Sequence, residues 1–410
     1  MLGNISSSFF VNVEPVPNRV SNLFQEFGED TNASKVNLFI GTYLSEENQP
    51  YILPAVRRAE VKIFENITTD HEYLSPCGQN SYTKPAIELL LGKDSIAIKE
   101  HRVHGIQSLS GTGALHIGAE FLHAVLGLKT VYISNPTWDK HEGIFRRVGF
   151  KDIRSYRYWN SETHSYDFNG MLDDLENAPE GATVVLHACA HNPTGCDPTT
   201  DQWTQIANTI ERKRLFTFFD SAYQGIATGD LDNDAYAVRY FVSRGLELFC
   251  AQSFSKIFGL YGERAGNLIV VHKEPSTVKA VADQIRNIIM ETYLTPPEHG
   301  ARIVETILND NELYEEWKQN LRVMARRIKT SRKSLYDEFI RLKTPGSWDY
   351  IIDQIGMFSY TGLSENQVRH LKGNFHIYTR EKRIAMCGLN QSNVAYVAKA
   401  IHSAITSIRN

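Results

Sequence analysis

Between about residue 100 and residue 275, short apolar runs rich in β-branched and aromatic residues alternate with longer stretches of helical spacing. The runs that read as strands are VHGIQSL, TVYISN, TVVLHAC, LFTFFD, LELFCAQ and NLIVV. Those that read as helices are ALHIGAEFLHAVLG, HEGIFRRVGF, DQWTQIANTIERKR and DAYAVRYFVSRG. Apolar strands joined through helices predict an α/β fold with a mostly parallel sheet covered on both faces. In such sheets ligands bind at the C-terminal ends of the strands. Further along, NDNELYEEWKQNLRVMARRIKTSRKSLYDEFIRLK predicts one long amphipathic helix, stopped by TPGSW. A smaller α+β unit follows, with GMFSYTGL and FHIYTR as strands and NVAYVAKAIHSAITSI as a closing helix.

Composition narrows the partners. The 410 residues carry a formal net charge of -4, with no block of like charges and no basic stripe. Nucleic acid and anionic membrane are therefore poor partners, and small molecules are better ones. The five cysteines, Cys77, Cys189, Cys196, Cys250 and Cys387, are scattered, odd in number and never spaced C-x-x-C. That pattern fits a reducing compartment rather than a disulfide framework or a zinc ribbon. MLGNISSSFFVNVEPVP has no basic n-region and no sustained apolar core, and no run approaches the roughly 18 apolar residues of a membrane-spanning helix. A cytoplasmic location is expected.

Four strand ends carry chemistry. In QSLSGTGALHIGAEFL, Ser110, Gly111, Thr112 and Gly113 lie between a strand and a helix, where free N–H groups and the helix dipole favour a phosphate. A plain glycine-rich turn would look the same. In VVLHACAHNPTGCDPT the strand leaves into Asn192-Pro193-Thr194-Gly195, a turn that can present a side-chain amide. Alternation puts His187, Cys189 and His191 on one face, but with no further ligand at metal spacing no metal site is expected. LFTFFDSAYQG ends on Asp220, whose carboxylate, after so apolar a run, needs a cation unless it merely caps a helix. SFSKIFGLYGERAG brings Lys256 and Arg264, which taken alone would read as a solvated loop. Together, a phosphate cradle, an amide, a buried carboxylate and an amine suit one ligand, pyridoxal 5'-phosphate.

With those motifs in view, the chain resembles the class I aminotransferases among the fold type I pyridoxal-phosphate enzymes, and within them the aspartate aminotransferases in their animal cytosolic form. The resemblance runs through KVNLFIGTY, HEYL, QSLSGTGAL, NPTWDKH, KDIRSYRYW, LHACAHNPTG, FFDSAYQG, CAQSFSKIFGLYGERAGNL, PPEHGARIV, DQIGMFSYTGL and MCGL. It implies an N-terminal arm (1–14), a small domain built from 15–48 and 314–410, and a large αβα cofactor-binding domain (49–313). It implies that Lys256 forms the Schiff base with the cofactor and then carries the proton. Asp220, with His141 behind it, would pair with the ring nitrogen, Tyr223 and Asn192 would bond the phenolic oxygen, and Trp138 would stack on the ring. Ser110, Gly111, Thr112, Ser253 and Arg264 would hold the phosphate, joined by Tyr73 from a second subunit, so a homodimer is implied. Arg383, Asn192 and Gly41 would receive the α-carboxylate of the substrate.

The departures fall where substrates are selected. The family grips the distal carboxylate with an arginine six residues before a Pro-Pro pair, and here that position is Met290. Methionine there favours a neutral, apolar side chain. Against this, Lys140 stands where the family has asparagine and could supply a replacement cation, or could point to solvent. Phe39, Leu44, Leu294 and Thr295 also differ, and YTREKR before the end of the arginine clamp is one residue short. The expected activity is transfer of an amino group between an L-amino acid and a 2-oxo acid by a ping-pong mechanism. Aspartate/2-oxoglutarate exchange is the family default, with specificity shifted towards neutral or apolar amino acids. A racemase or lyase using the same cofactor, or a non-catalytic dimeric descendant, are the alternatives.

Overall fold

The alternation folds into one seven-stranded sheet in a computed structural model that describes residues 9–15 and 19–408. Residues 1–8 of the expected N-terminal arm, and 16–18 at the start of the expected small domain, lie outside the described residues. Across the sheet the strands run Val103–Leu109, Ala265–Val271, Leu248–Ser253, Phe216–Ser221, Thr183–His187, Thr130–Asn135 and Asp152–Arg157. All neighbours are parallel except Ala265–Val271, which is antiparallel to both strands beside it. Its direction follows from chain length, because residues 254–264 are too few for a helical crossover back to the far edge.

Successive side chains leave the sheet on opposite faces. Val184, Leu186 and Phe219 pack with Trp203, Ile206 and Phe241 on one side, while Val185, Phe218 and Phe249 pack with Leu115, Phe121 and Phe145 on the other. Each fully buried phenylalanine contributes about 1.5–3 kcal/mol. Strands between two covered faces must be apolar throughout, and for that reason they are legible as runs.

Three local details differ from the expectation. Asp152–Arg157, sequence DIRSYR, is a strand that no apolar run announces; it lies at the sheet edge with only Tyr156 fully buried, so its outer side chains can be polar. The helix after Val103–Leu109 begins at Ser110, not Ala114, so Gly111, Thr112 and Gly113 form its first turn rather than a preceding loop. It runs to Glu120 and widens into a π turn at Phe121–Val125. Beyond His187 the chain leaves the strand, and Ala190 takes a left-handed φ of 48°. The expected alternation therefore stops there, although His191 returns to place its ring 4.2 Å from that of His187.

The long helix spans Asn311–Leu342. Asp310 caps it by accepting from the N–H groups of Glu312 and Leu313 at 2.9 and 3.0 Å. Leu313, Trp317, Leu321, Met324, Ile328, Leu335 and Phe339 form its buried stripe. Trp317 donates from its indole nitrogen to the carbonyl of Ile257 at 2.7 Å and stacks on Phe258 at 4.6 Å, fixing the backbone just after Lys256. In the C-terminal unit Phe358–Tyr360 pairs antiparallel with Arg383–Ala385, and Ile377–Thr379 pairs parallel with Val36–Leu38. Residues far apart in the chain thereby bring Gly41 and Arg383 together.

Candidate active site

The C-terminal strand ends converge on two adjoining cavities that share Trp138, Asn192, Tyr223 and Lys256. The first, about 70 Å³, is lined also by Ser110, Gly111, Thr112, Asp220, Ser253, Ser255 and Arg264. The second, about 110 Å³, adds Phe24, Phe39, Gly41, Phe358, Arg380 and Arg383. A wider cleft of about 600 Å³ lies between residues 162–165 and 345–350, but no lysine or arginine lines it. The buried lysine amine and the buried Arg383 guanidinium are in the smaller pair.

The floor of the first cavity is made by close backbone approach. A Cβ on Gly266 would meet Ser110 backbone atoms at 2.5 Å, so only glycine lets the strand Ala265–Val271 pass beneath that turn. Ser110 takes a φ of 61° and directs its hydroxyl to those of Ser253 and Ser255 at 3.0 and 2.8 Å. Arg264 donates to the Ser255 hydroxyl at 3.3 Å and to the carbonyl of Tyr261 at 3.0 Å. No carboxylate pairs with it among the described residues. Three hydroxyls, a helix N-terminus and an unpaired guanidinium form a donor set for a phosphate.

At the opposite wall Asp220, one residue before the end of its strand, pairs with His187 of the next one. His141 donates from Nε2 to an Asp220 carboxylate oxygen at 3.1 Å, and its Nδ1 accepts from the Thr137 hydroxyl at 2.8 Å. Burial works to raise the Asp220 pKa, but the His141 hydrogen bond and the charges of His141, His187 and Lys256 outweigh it and hold the carboxyl below its ordinary value. Acceptor atoms of His141, His187 and Asp220 come within 4.8 Å of one another. His141 is occupied at both nitrogens, and His191 spends its two on Ser134 and Thr194 at 2.8 Å each. His141 thus supports by a hydrogen bond a carboxylate that must stay ionised, while both ring nitrogens of the buried His187 are without a partner among the described residues.

Lys256 lies in the short helix Phe254–Ile257, with Ser253 as its N-cap. Its amine, ordinarily near 10.5, is brought down to about 8, first by burial and then by Arg264 and Arg383, with Asp220 opposing. Above Lys256, Arg383 donates to Asn192 Oδ1 at 3.4 Å and to the Phe39 carbonyl at 3.0 Å, and lies over the Phe358 ring at 3.9 Å. Its Nε is buried without a partner, and burial lowers its pKa to about 10. A buried guanidinium lacking an anion calls for a ligand that supplies one.

Most of the expected residues are therefore together: Ser110, Gly111, Thr112, Trp138, Asn192, Asp220, Tyr223, Ser253, Lys256 and Arg264, with Gly41 and Arg383 alongside. Three are apart. Lys140, 58% exposed, lines neither cavity and pairs with Asp139 at 3.1 Å. Tyr73, 75% exposed, and Met290, 49% exposed, lie on the surface of this chain. Two polar lining residues escape the sequence reading. Ser255 is the hydroxyl immediately before the lysine and is discoverable from SFSK; Arg380 lies within YTREKR, three residues before Arg383, but the sequence does not mark it apart from that arginine.

The Aminotransferase class I and II family model matches residues 33–401. The cytoplasmic aspartate aminotransferase of Gallus gallus is 50% identical over 412 residues, covering 99% of this chain and 100% of its own. Among solved structures, the aspartate aminotransferase of Saccharomyces cerevisiae cytoplasm superposes with a TM-score of 0.95 at 43% identity, covering 98% of this chain and 99% of its own. The aromatic-amino-acid aminotransferase of Burkholderia pseudomallei, covalently bound to pyridoxal phosphate, gives 0.94 at 38% identity, covering 97% and 100%. With a fold, a phosphate-type donor set and a buried lysine facing a carboxylate all in place, this chain belongs to the class I and II aminotransferases.

Proposed function

We propose that the protein is a pyridoxal-5'-phosphate-dependent transaminase that moves the amino group between an L-amino acid and a 2-oxo acid, with side-chain preference shifted towards neutral or apolar substrates. The observation that carries it is the buried Lys256 amine between the Asp220 carboxylate and two arginines, Arg264 and Arg383, that have no ion pair among the described residues. The cofactor fits the residues present. Ser110, Gly111, Thr112, Ser253, Ser255 and Arg264 would hold its phosphate, Trp138 its ring face, Asp220 its ring nitrogen, and Tyr223 with Asn192 its phenolic oxygen. When bound, it supplies an aldehyde that takes up amines and a ring that draws off the electron pair left when an α-proton departs.

The protein's own residues then do the rest. Asp220, kept ionised by His141, would hold a proton on the ring nitrogen. Arg383 orients the substrate carboxylate, so the α-hydrogen faces the lysine side of the cavity. Lys256, once neutral, would take that proton from the substrate α-carbon and deliver it to the former aldehyde carbon on the other side of the amino nitrogen. The aromatic rings of Phe24, Phe39, Trp138 and Phe358 restrict water and offer an apolar wall. That wall, with Met290 in place of the arginine expected from the resemblance, supports the altered specificity. The exposed Tyr73, Met290 and Ile67 support a homodimer in which the partner copy completes the site. Division of the chain at 49 and 314 into a cofactor domain and a two-part small domain belongs to the same reading. The cytoplasmic relative supports a cytoplasmic location, and no helix among the described residues is long and apolar enough to cross a membrane.

The test is a half-reaction screen: each amino acid is added to the cofactor-loaded protein and the loss of its visible absorbance is followed. Fast conversion confined to aspartate and glutamate would sink the specificity claim, and conversion by none would sink the reading itself. Two further results are expected from the same assay. Because only the neutral lysine accepts a proton, the single-turnover rate climbs with pH by about tenfold per unit and levels off above the Lys256 inflection, near 8. A rate that falls as pH rises would contradict this. Arg383→Gln lowers kcat/KM for every amino acid by roughly 100-fold or more, chiefly through KM, while cofactor content is unchanged.

A further inference from the structure

One cation at the mouth of the second cavity has no part in the roles above. Arg380 sits in a tight turn with Arg383: its N–H donates to the Arg383 carbonyl at 3.2 Å, and the Arg383 N–H returns to the Arg380 carbonyl at 3.0 Å. Glu381 within that turn takes a left-handed φ of 53°. The turn sets both arginines against the same cavity. Arg383 is committed to Asn192, the Phe39 carbonyl and the Phe358 ring. Arg380, only 23% exposed, reaches across to Asp139, the neighbour of Trp138. Asp139 also receives Lys140, so two cations share one carboxylate and a net positive charge is left at the opening.

An ordinary surface ion pair would have the same partners but would not line the cavity. Here Arg380 is among the residues that line it and Lys140 is not. The Asp139 carboxylate is 41% exposed, so solvent screens the pair and Asp139 can be exchanged for another anion. We infer that Arg380 is the specificity-determining cation for a second carboxylate: it exchanges Asp139 for the distal carboxylate of a four- or five-carbon dicarboxylic amino or 2-oxo acid. Such a substrate is held between Arg383 and Arg380 of one subunit. Apolar substrates leave the Arg380–Asp139 pair closed and lie against Phe24 and Phe39. The inference rests on the aminotransferase reading and explains how a chain with Met290 can still take a dicarboxylic partner in one half of a ping-pong cycle.

The test measures binding of two unreactive acids of equal length, glutarate and pentanoate, to the cofactor-loaded protein by calorimetry. The native protein is expected to prefer glutarate by roughly 30-fold. Arg380→Gln brings that preference to within about threefold, Arg380→Lys keeps part of it because charge remains while the planar fork is lost, and Lys140→Gln keeps most of it. Pentanoate affinity in each variant reports that the Arg383 side is intact, which separates lost recognition from lost folding. Persistence of the full preference in Arg380→Gln, or its loss in Lys140→Gln alone, overturns the assignment. If the native protein converts neutral amino acids yet shows no preference for glutarate, this inference alone falls; if it converts no amino acid, the aminotransferase reading falls with it.

Discussion

Replacing Lys256 by alanine is expected to slow the half-reaction by roughly 10⁴-fold or more. The reason is that, among the described residues, Lys256 is the single amine lining either cavity. Neighbouring hydroxyls and Tyr223, whose phenol burial pushes up, cannot accept a proton from carbon near neutral pH. Lys256→Arg should be equally inactive, since a guanidinium keeps the charge but stays protonated. Activity is checked by single-turnover absorbance, and covalent linkage by mass spectrometry after borohydride reduction. In the native protein the cofactor mass adds to the chain; in Lys256→Ala it does not, although Ser110, Ser253 and Arg264 still retain the cofactor. An adduct that persists in the variant would place the reactive amine elsewhere. The fold should not suffer, because the substitution removes a poorly solvated amine rather than a packed hydrocarbon.

The second large effect is expected at Asp220. Asp220→Ala should lower kcat by roughly 10³-fold, since on the proposed reading it removes the preorganised anion that would face the ring nitrogen. His141 then loses its acceptor at 3.1 Å and remains a buried donor without a partner. Asp220 also raises the Lys256 pKa, so its loss should move the inflection of the rate profile to lower pH. Glutamate at this position should recover part of the rate, which alanine and asparagine do not. Equal rates for Asp220→Ala and the native protein, or an inflection displaced to higher pH, would remove the carboxylate from the mechanism.

Both effects rest on residues that are legible in the amino-acid sequence. Lys256 and Asp220 stand out because each follows an apolar run, where a charge needs a reason. The donor set around Ser110 is legible as a strand-to-helix turn, although its helix starts earlier than the apolar spacing suggests, because small hydroxyl and glycine residues carry no periodic signal. The edge strand Asp152–Arg157 is not legible, since a strand with one neighbour can present polar side chains to water. Arg383 needs the family resemblance to be noticed at all.

The chain by itself therefore determined the layered architecture and the kinds of chemical group at each strand end, because periodicity and burial act over a few neighbouring residues. Which groups meet was decided only by the tertiary structure. Arg383 finds Asn192 across 191 positions of sequence, and Arg380 finds Asp139 across 241. No local rule fixes such pairs: they arise when the C-terminal unit packs over the C-terminal strand ends, with the tight turn at 380–383 setting two arginines against the same cavity.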